Sequence, residues 1–400
     1  MHKTINRTQI IYILLSLTAI ALLSCKAVTI NEPEFVKRDK SVLIYMIANN
    51  SLSSNAQDNL EALKKGYIPS DDGYLLVYYH NSSCNPMLLE IRQGDNGSAL
   101  VDTLYKFPER NSASTSSITQ ALKVATTLCP ANEYGLILWS HATGWLPEGY
   151  YTSGGTTTSA INNISNIKMS SENSNNIALL SFGSEDNKEI EITALTKALP
   201  HRYSYIIFDA CLMGGIETAY ELKDSTDYIL FSPTEILATG FPYDKIMKHL
   251  FAKQTDLKSV AEEYFNYYNT QEYYRYATIT LINTSKLENV ANIAKDVFST
   301  SRDKIQQVNM DMIQPYFRGN KHWFYDIQDL IDNIGTPEQS STFKSALNEA
   351  IIYKAHTDHF LELPINRYSG LSTYIPNPSN EFLDNYYKNF AWNKVTEMIN

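Results

Sequence analysis

Two stretches, Gly135-Leu-Ile-Leu-Trp-Ser-His141 and Tyr205-Ile-Ile-Phe-Asp-Ala-Cys211, are built alike: each is an apolar strand that ends in a reactive side chain. Parallel α/β sheets form their sites just beyond the carboxyl ends of the strands. Neighbouring strands lie about 4.8 Å apart, so groups on two adjacent ends can come within the ~3–4 Å over which an imidazole activates a thiol. Small residues follow both, Ala142-Thr143-Gly144 after the histidine and Gly214-Gly215 after the cysteine, which lets a peptide approach the backbone at Gly144 and Gly214. The N–H groups of Ala142 and Cys211 are then candidates for an oxyanion hole. A helical pattern from about Met213 to Lys223 sets Cys211 just before a helix N-terminus, where a thiol pKa falls. Each residue also has a plainer reading. A cysteine at a strand end is commonly a packed apolar group, and a histidine after a strand a satisfied structural one.

Outward from these stretches, further apolar runs read as strands: Val42–Ala48, Tyr74–Tyr79, Met87–Ile91 and Tyr228–Phe231. Helical periodicity falls between them at Ser116–Leu128 and Glu189–Leu199. This alternation predicts an α/β fold with a mostly parallel sheet flanked by helices. Gly94-Asp95-Asn96-Gly97 is turn chemistry and predicts an antiparallel hairpin between Met87–Ile91 and Ala99–Leu104. Residues 150–187 are polar and read as a long exposed loop, a preferred place for nicking, with Lys168 in it and Lys188 beside it as the basic residues. Beyond residue 250 the chain turns helical, at Leu257–Tyr268, Ser285–Thr300, Trp323–Asn333 and Thr342–Tyr353. Strands interrupt it at Ala277–Ile282 and Gly370–Tyr374, and the region reads as packed on a core of residues 41–250.

Lys3 and Arg7 precede an apolar run, Ile10–Leu23, that closes on Leu22-Leu23-Ser24-Cys25. The run is shorter than the ~20 residues of a membrane-spanning helix. It reads as a secretory signal over residues 1–24, with Cys25 placed as the lipidated first residue of a bacterial lipoprotein and residues 25–40 as a tether. That puts the protein in the cell envelope, on the outer membrane, by way of a lipid anchor at Cys25. A formal charge of −10 without basic blocks excludes a nucleic-acid partner. Cys84, Cys129 and Cys211 are an odd set, which argues against a disulfide scaffold. His356 and His359 flank Asp358 but gain no third ligand, so no metal site is expected. No cofactor is implied, and the residues give no reading of a calcium requirement.

The strings Leu136-Ile-Leu-Trp-Ser-His-Ala-Thr-Gly-Trp145 and Phe208-Asp-Ala-Cys-Leu-Met-Gly-Gly-Ile-Glu217 resemble the histidine and cysteine motifs of the clostripain family, relatives of caspases and gingipains. The resemblance extends through Ser232–Tyr243 and covers most of Ser41 to Leu250. It implies a caspase-like fold and a cysteine endopeptidase acting on proteins or peptides, with His141 as general base and Cys211 as nucleophile. It also implies an acidic first substrate pocket, and Asp209, two residues before Cys211, is the candidate floor that selects arginine or lysine. Two departures stand out: Ala142 replaces the family's usual glycine, and Thr239 stands where an acid is common. Capping the next helix or binding loop N–H groups would explain Asp209 equally well. The rival function is a surface lipoprotein that binds peptides or glycans without turnover.

Overall fold

Among the described residues of the computed structural model, which are 36–69, 72–151, 185, 188–317 and 321–400, the apolar runs become the middle of one nine-stranded sheet. Its strands are β1 (Arg38–Ala48), β2 (Gly73–Asn81), β3 (Cys84–Gln93), β4 (Ala99–Lys106), β5 (Ala131–Trp139), β6 (Tyr203–Asp209), β7 (Thr226–Phe231) and β8 (Thr278–Asn283). The two-residue β9 (Tyr325–Asp326) lies outside this sheet, pairing with Ser372–Thr373, and β10 (Ile351–His356) completes it. The order is β10-β8-β7-β6-β5-β1-β2-β3-β4. Pairs β2–β1, β1–β5, β5–β6 and β6–β7 are parallel, and both flanks are antiparallel. Central strands buried on both faces must be apolar at nearly every position, and β1 is buried from Lys40 to Ala48. The fold is therefore the expected α/β class: a central sheet flanked by helices with a helix-rich C-terminal region against it. Residues Lys37–Asn400 form one compact unit, and of Met1–Val36 only Val36 is described.

Chain order places the crevice. From β1 the chain moves to β2 on one side and later to β5 on the other, so the carboxyl ends of β1 and β5 flank a topological switch point. Ser140 ties the two ends together, its hydroxyl donating to the Ile47 carbonyl at 3.2 Å. The hairpin expected around Gly94–Gly97 is present, with Met87–Gln93 paired to Ala99–Lys106.

Several boundaries differ from the sequence reading. The helix expected from Met213 starts at Ile216, because Gly214 is held in bridging bonds: its N–H donates to Ser232 O at 2.8 Å and its carbonyl accepts from Ser372 N at 2.9 Å. Cys211 thus lies five residues before a short helix, too far for its terminus to act strongly on the thiol. β1 starts at Arg38, inside the expected tether, since Arg38 N–H bonds to Pro130 O and the Lys40 ammonium is buried against Leu250 O and Ala252 O. The helix expected at Trp323 begins at Ile327, with Asp326 as its N-cap. The helix expected over Thr342–Tyr353 runs instead from Pro337 to Ala350, set by a Thr336/Gln339 capping box, and Ile351 onward is strand β10. Cys25, Lys168 and most of the expected loop lie outside the described residues. Two residues of that loop that are described, Tyr150 and Glu185, are buried. No helix among the described residues is long and apolar enough to cross a membrane.

Candidate active site

β5 and β6 are adjacent and parallel, with Trp139 paired to Asp209. His141 and Cys211 each follow their strand by two residues, so both turns leave the sheet at the same level. They also touch. Gly144 has φ +65°, and a Cβ there would lie 2.7 Å from both Leu212 O and the Phe324 ring. Only glycine tolerates both the left-handed backbone and that approach. Leu212, directly after the cysteine, is itself left-handed at φ 61°, a conformation that costs a non-glycine residue about 1–3 kcal/mol and that clusters at functional sites. The Leu212 N–H holds it in place by donating to Thr234 O at 2.9 Å.

The two turns are mounted differently. His141 is half-buried, and Ser51, in the turn after β1, places its hydroxyl 2.9 Å from Nε2. Burial pulls the imidazole pKa down to about 4, so the ring is uncharged at neutral pH and able to take a proton. Downstream, Glu189 Oε2 accepts from the Thr143 hydroxyl at 3.2 Å, and Trp145 is packed among Phe324, Tyr374, Tyr387 and Phe390. Ala142 is buried and is not among the residues with positive φ, so the family's glycine is not needed there for backbone conformation.

Cys211 is 2% exposed. Its sulfur accepts the Ile236 N–H at 3.1 Å, from the segment that follows β7. Gly214 allows close packing as well, since a Cβ there would lie 2.4 Å from Pro233 N. Glu217 locks the far side of the motif: its Oε1 accepts from Thr373 Oγ1, Tyr374 N and Tyr387 Oη at 2.9, 2.9 and 2.7 Å.

Asp209 is fully buried. Its Oδ2 accepts from Phe241 N at 3.0 Å and from Tyr243 Oη at 2.9 Å, while Oδ1 has no partner among the described residues. Burial outweighs both hydrogen bonds and raises its pKa to about 7. Gly240, at φ +69°, lies against the carboxylate, where a Cβ would come within 2.6 Å of Oδ2. Binding of loop donors, one of the two structural readings open from sequence, is therefore present.

The other cysteines are unlike Cys211. Cys129 is buried and its thiol is pushed up to about 12 by desolvation, while half-exposed Cys84 donates to Asn81 Oδ1. His359 lies exposed on its two-residue strand, and His356 Nδ1 is bonded to Thr357 O. One acid–histidine group was not foreseen. His80, Glu109 and Glu185 bring their donor atoms within 4.8 Å of one another near the ends of β1 and β2. Glu185 is committed to Asn49 Nδ2, Ser112 N and His80 Nδ1, which marks this group as a structural anchor at the ends of β1 and β2.

This combination of a mostly parallel sheet, reactive side chains beyond β5 and β6 and a helical C-terminal layer defines the caspase-like class of fold. The model of the clostripain family, peptidase C11, matches residues 44–398, and the chain belongs to that family. It is 31% identical to an inactive zymogen C11 protease from Parabacteroides distasonis, covering 90% of this chain and 99% of that one with a TM-score of 0.77. A secreted C11 cysteine protease from Bacteroides thetaiotaomicron in complex with an irreversible peptide inhibitor is 26% identical over 90% of this chain and 99% of that one, at TM-score 0.73. A further structure of a secreted C11 protease from that organism, 23% identical, shares the fold at TM-score 0.75, again over 90% and 99% of the two chains. No curated protein sequence matches the chain.

Proposed function

We propose that the protein is a cysteine endopeptidase that cuts after arginine or lysine through a dyad of Cys211 and His141. The observation that carries this reading is the β5–β6 register, with Trp139 opposite Asp209 and each reactive residue two positions on. The neutral His141 imidazole takes the thiol proton, the Sγ thiolate adds to the peptide carbonyl, and the imidazolium protonates the leaving amine. Water then hydrolyses the acyl-enzyme with His141 as base again. The N–H groups of Cys211 and Ala142 are the proposed donors to the oxyanion. Gly144 lets the peptide pass, and Gly214 keeps the Cys211 turn against Ser232–Pro233.

For specificity, the Oδ1 of Asp209, which has no partner among the described residues, supports a role as acceptor for a substrate cation, and a guanidinium, with its forked donors, is preferred to an ammonium. Cys211 is 2% exposed, so its surroundings must open before a substrate carbonyl reaches the thiol. Self-cleavage within residues 150–187 belongs to the same proposal. So does attachment to the outer membrane through a lipid on Cys25, for which Cys25→Ser should move the protein from the membrane pellet to the soluble fraction; unchanged partitioning would rule the anchor out.

A peptide library, profiled with wild type and Cys211→Ala, tests the reading. Turnover confined to wild type with Arg above Lys above neutral residues is expected, and two chains should form on incubation of wild type alone. Substantial turnover by Cys211→Ala would end the proposal.

A further inference from the structure

The turn after β1 supplies a residue for which neither sequence motif asks. Asn50 shapes that turn: its Nδ2 donates to Ile47 O at 3.2 Å and its Oδ1 accepts from Leu52 N at 2.9 Å. The next helix, Ser53–Gly66, follows at once. A serine just ahead of a helix ordinarily caps it, yet the N-cap position falls to Leu52 and no side chain caps this helix. The Ser51 hydroxyl is spent elsewhere, 2.9 Å from His141 Nε2 and 90 residues away in sequence. The switch-point topology sets this contact, because β1 and β5 are neighbours with Met46 opposite Trp139.

A neutral imidazole carries one N–H and one lone pair, and the partner of one nitrogen decides which nitrogen keeps the proton. We infer that Ser51 is a positioning residue for the peptidase reaction: its Oγ accepts the Nε2–H of His141, so that Nδ1 presents its lone pair to the Cys211 thiol. The inference rests on the reading of His141 as the base. When the thiol S–H breaks and Nδ1–H forms, the imidazolium keeps its Nε2–H bond to Ser51, and the ring does not turn away between acylation and deacylation. Ser51 neither gains nor loses a proton in the cycle. In this family member the third element of the site is thus a neutral hydroxyl on the β1 turn, with no buried carboxylate required.

The test compares Ser51→Ala, Ser51→Thr and His141→Ala on a basic peptide substrate across pH 5–9, with iodoacetamide alkylation of Cys211 followed in parallel. Ser51→Ala should lower kcat roughly 10-fold, a part of the roughly 10²–10⁴-fold that a general base supplies, with KM within about twofold of wild type. Alkylation should slow in step, melting should be unchanged, and Ser51→Thr, which keeps the hydroxyl, should restore kcat. A kcat for Ser51→Ala within about twofold of wild type, or a loss that Ser51→Thr does not restore, overturns the inference while an inert His141→Ala leaves the dyad standing. An active His141→Ala would instead remove the dyad, and this inference with it.

Discussion

The histidine turn and the cysteine turn leave adjacent strands at the same level, yet they are held by different means. Side chains from distant parts of the chain hold the first: Ser51 on His141, Glu189 on Thr143, and an aromatic cluster around Trp145. Backbone bonds fix the second, through Leu212 to Thr234, Gly214 to Ser232, Ser372 to Gly214 and Ile236 to the sulfur itself. A base must exchange protons while its ring stays in place, so side-chain contacts that can be tuned singly suit it. A nucleophile must meet a carbonyl at fixed geometry, and a backbone lattice, including the left-handed Leu212, supplies that rigidity. Substitutions around His141 should therefore grade activity, whereas those around Cys211 should reach into the fold.

The largest expected effect tests whether two such different mountings still serve one chemical unit. His141→Ala and Cys211→Ala should each lower kcat/KM by at least roughly 10³-fold, and the double variant should lose no more than either single one. Additive losses in single-turnover kinetics would mean that the turns act separately. Next is the point where they touch. Gly144→Ala must place a Cβ against Leu212 O in a left-handed backbone, at a cost of about 2–3 kcal/mol in unfolding by denaturant and with most activity lost. Gly149→Ala has similar φ, +72°, with nothing within 4 Å of an added Cβ among the described residues, and should cost only about 1 kcal/mol. Equal destabilisation of the two would show that the contact between the turns carries no weight.

The smallest effect lies on the cysteine side. Asp209 has its folded pKa raised to about 7 by burial, so the folded protein holds that proton to higher pH than the unfolded chain does. Wild type should then lose stability relative to Asp209→Asn as pH rises from about 4 to about 7, with the difference complete above that range. Preference for arginine over a neutral residue should rise across pH 6–8 in wild type only, as the carboxylate ionises. Flat profiles for both would remove Asp209 from the pocket.

Much of the frame was legible from residues alone, because buried parallel strands write themselves as continuous apolar runs; β1, β2 and β7 contain the stretches read as strands, while β5 and β6 stop two residues short of His141 and Cys211. Two of the boundaries that differ have local signals in the sequence. Thr336-Pro-Glu-Gln339 is a capping box that fixes the helix start and so frees Ile351–His356 to be a strand. Gly214-Gly215 is a poor opening for a helix, and the helix waits until Ile216. Other features had no local signal. The Ser51–His141 contact joins residues 90 apart, and nothing near Asp209 announces that Phe241 and Tyr243 will reach it from across the site. Family resemblance named His141 and Cys211 but gave no hint of Ser51, since motif strings record what lies beside a residue in the chain rather than across the crevice.

The anchoring of Glu217 has a consequence in time. Its partners Thr373, Tyr374 and Tyr387 are made 156 to 170 residues after it, and the edge of β7 stays open until β8 arrives. A chain synthesised from its N-terminus at about 5–20 residues per second therefore carries its cysteine motif for roughly ten seconds or more before the last clamp can close. During that interval the motif has no finished turn to sit in. The cysteine motif is clamped only once residues made 156 to 170 positions later have folded back onto Glu217.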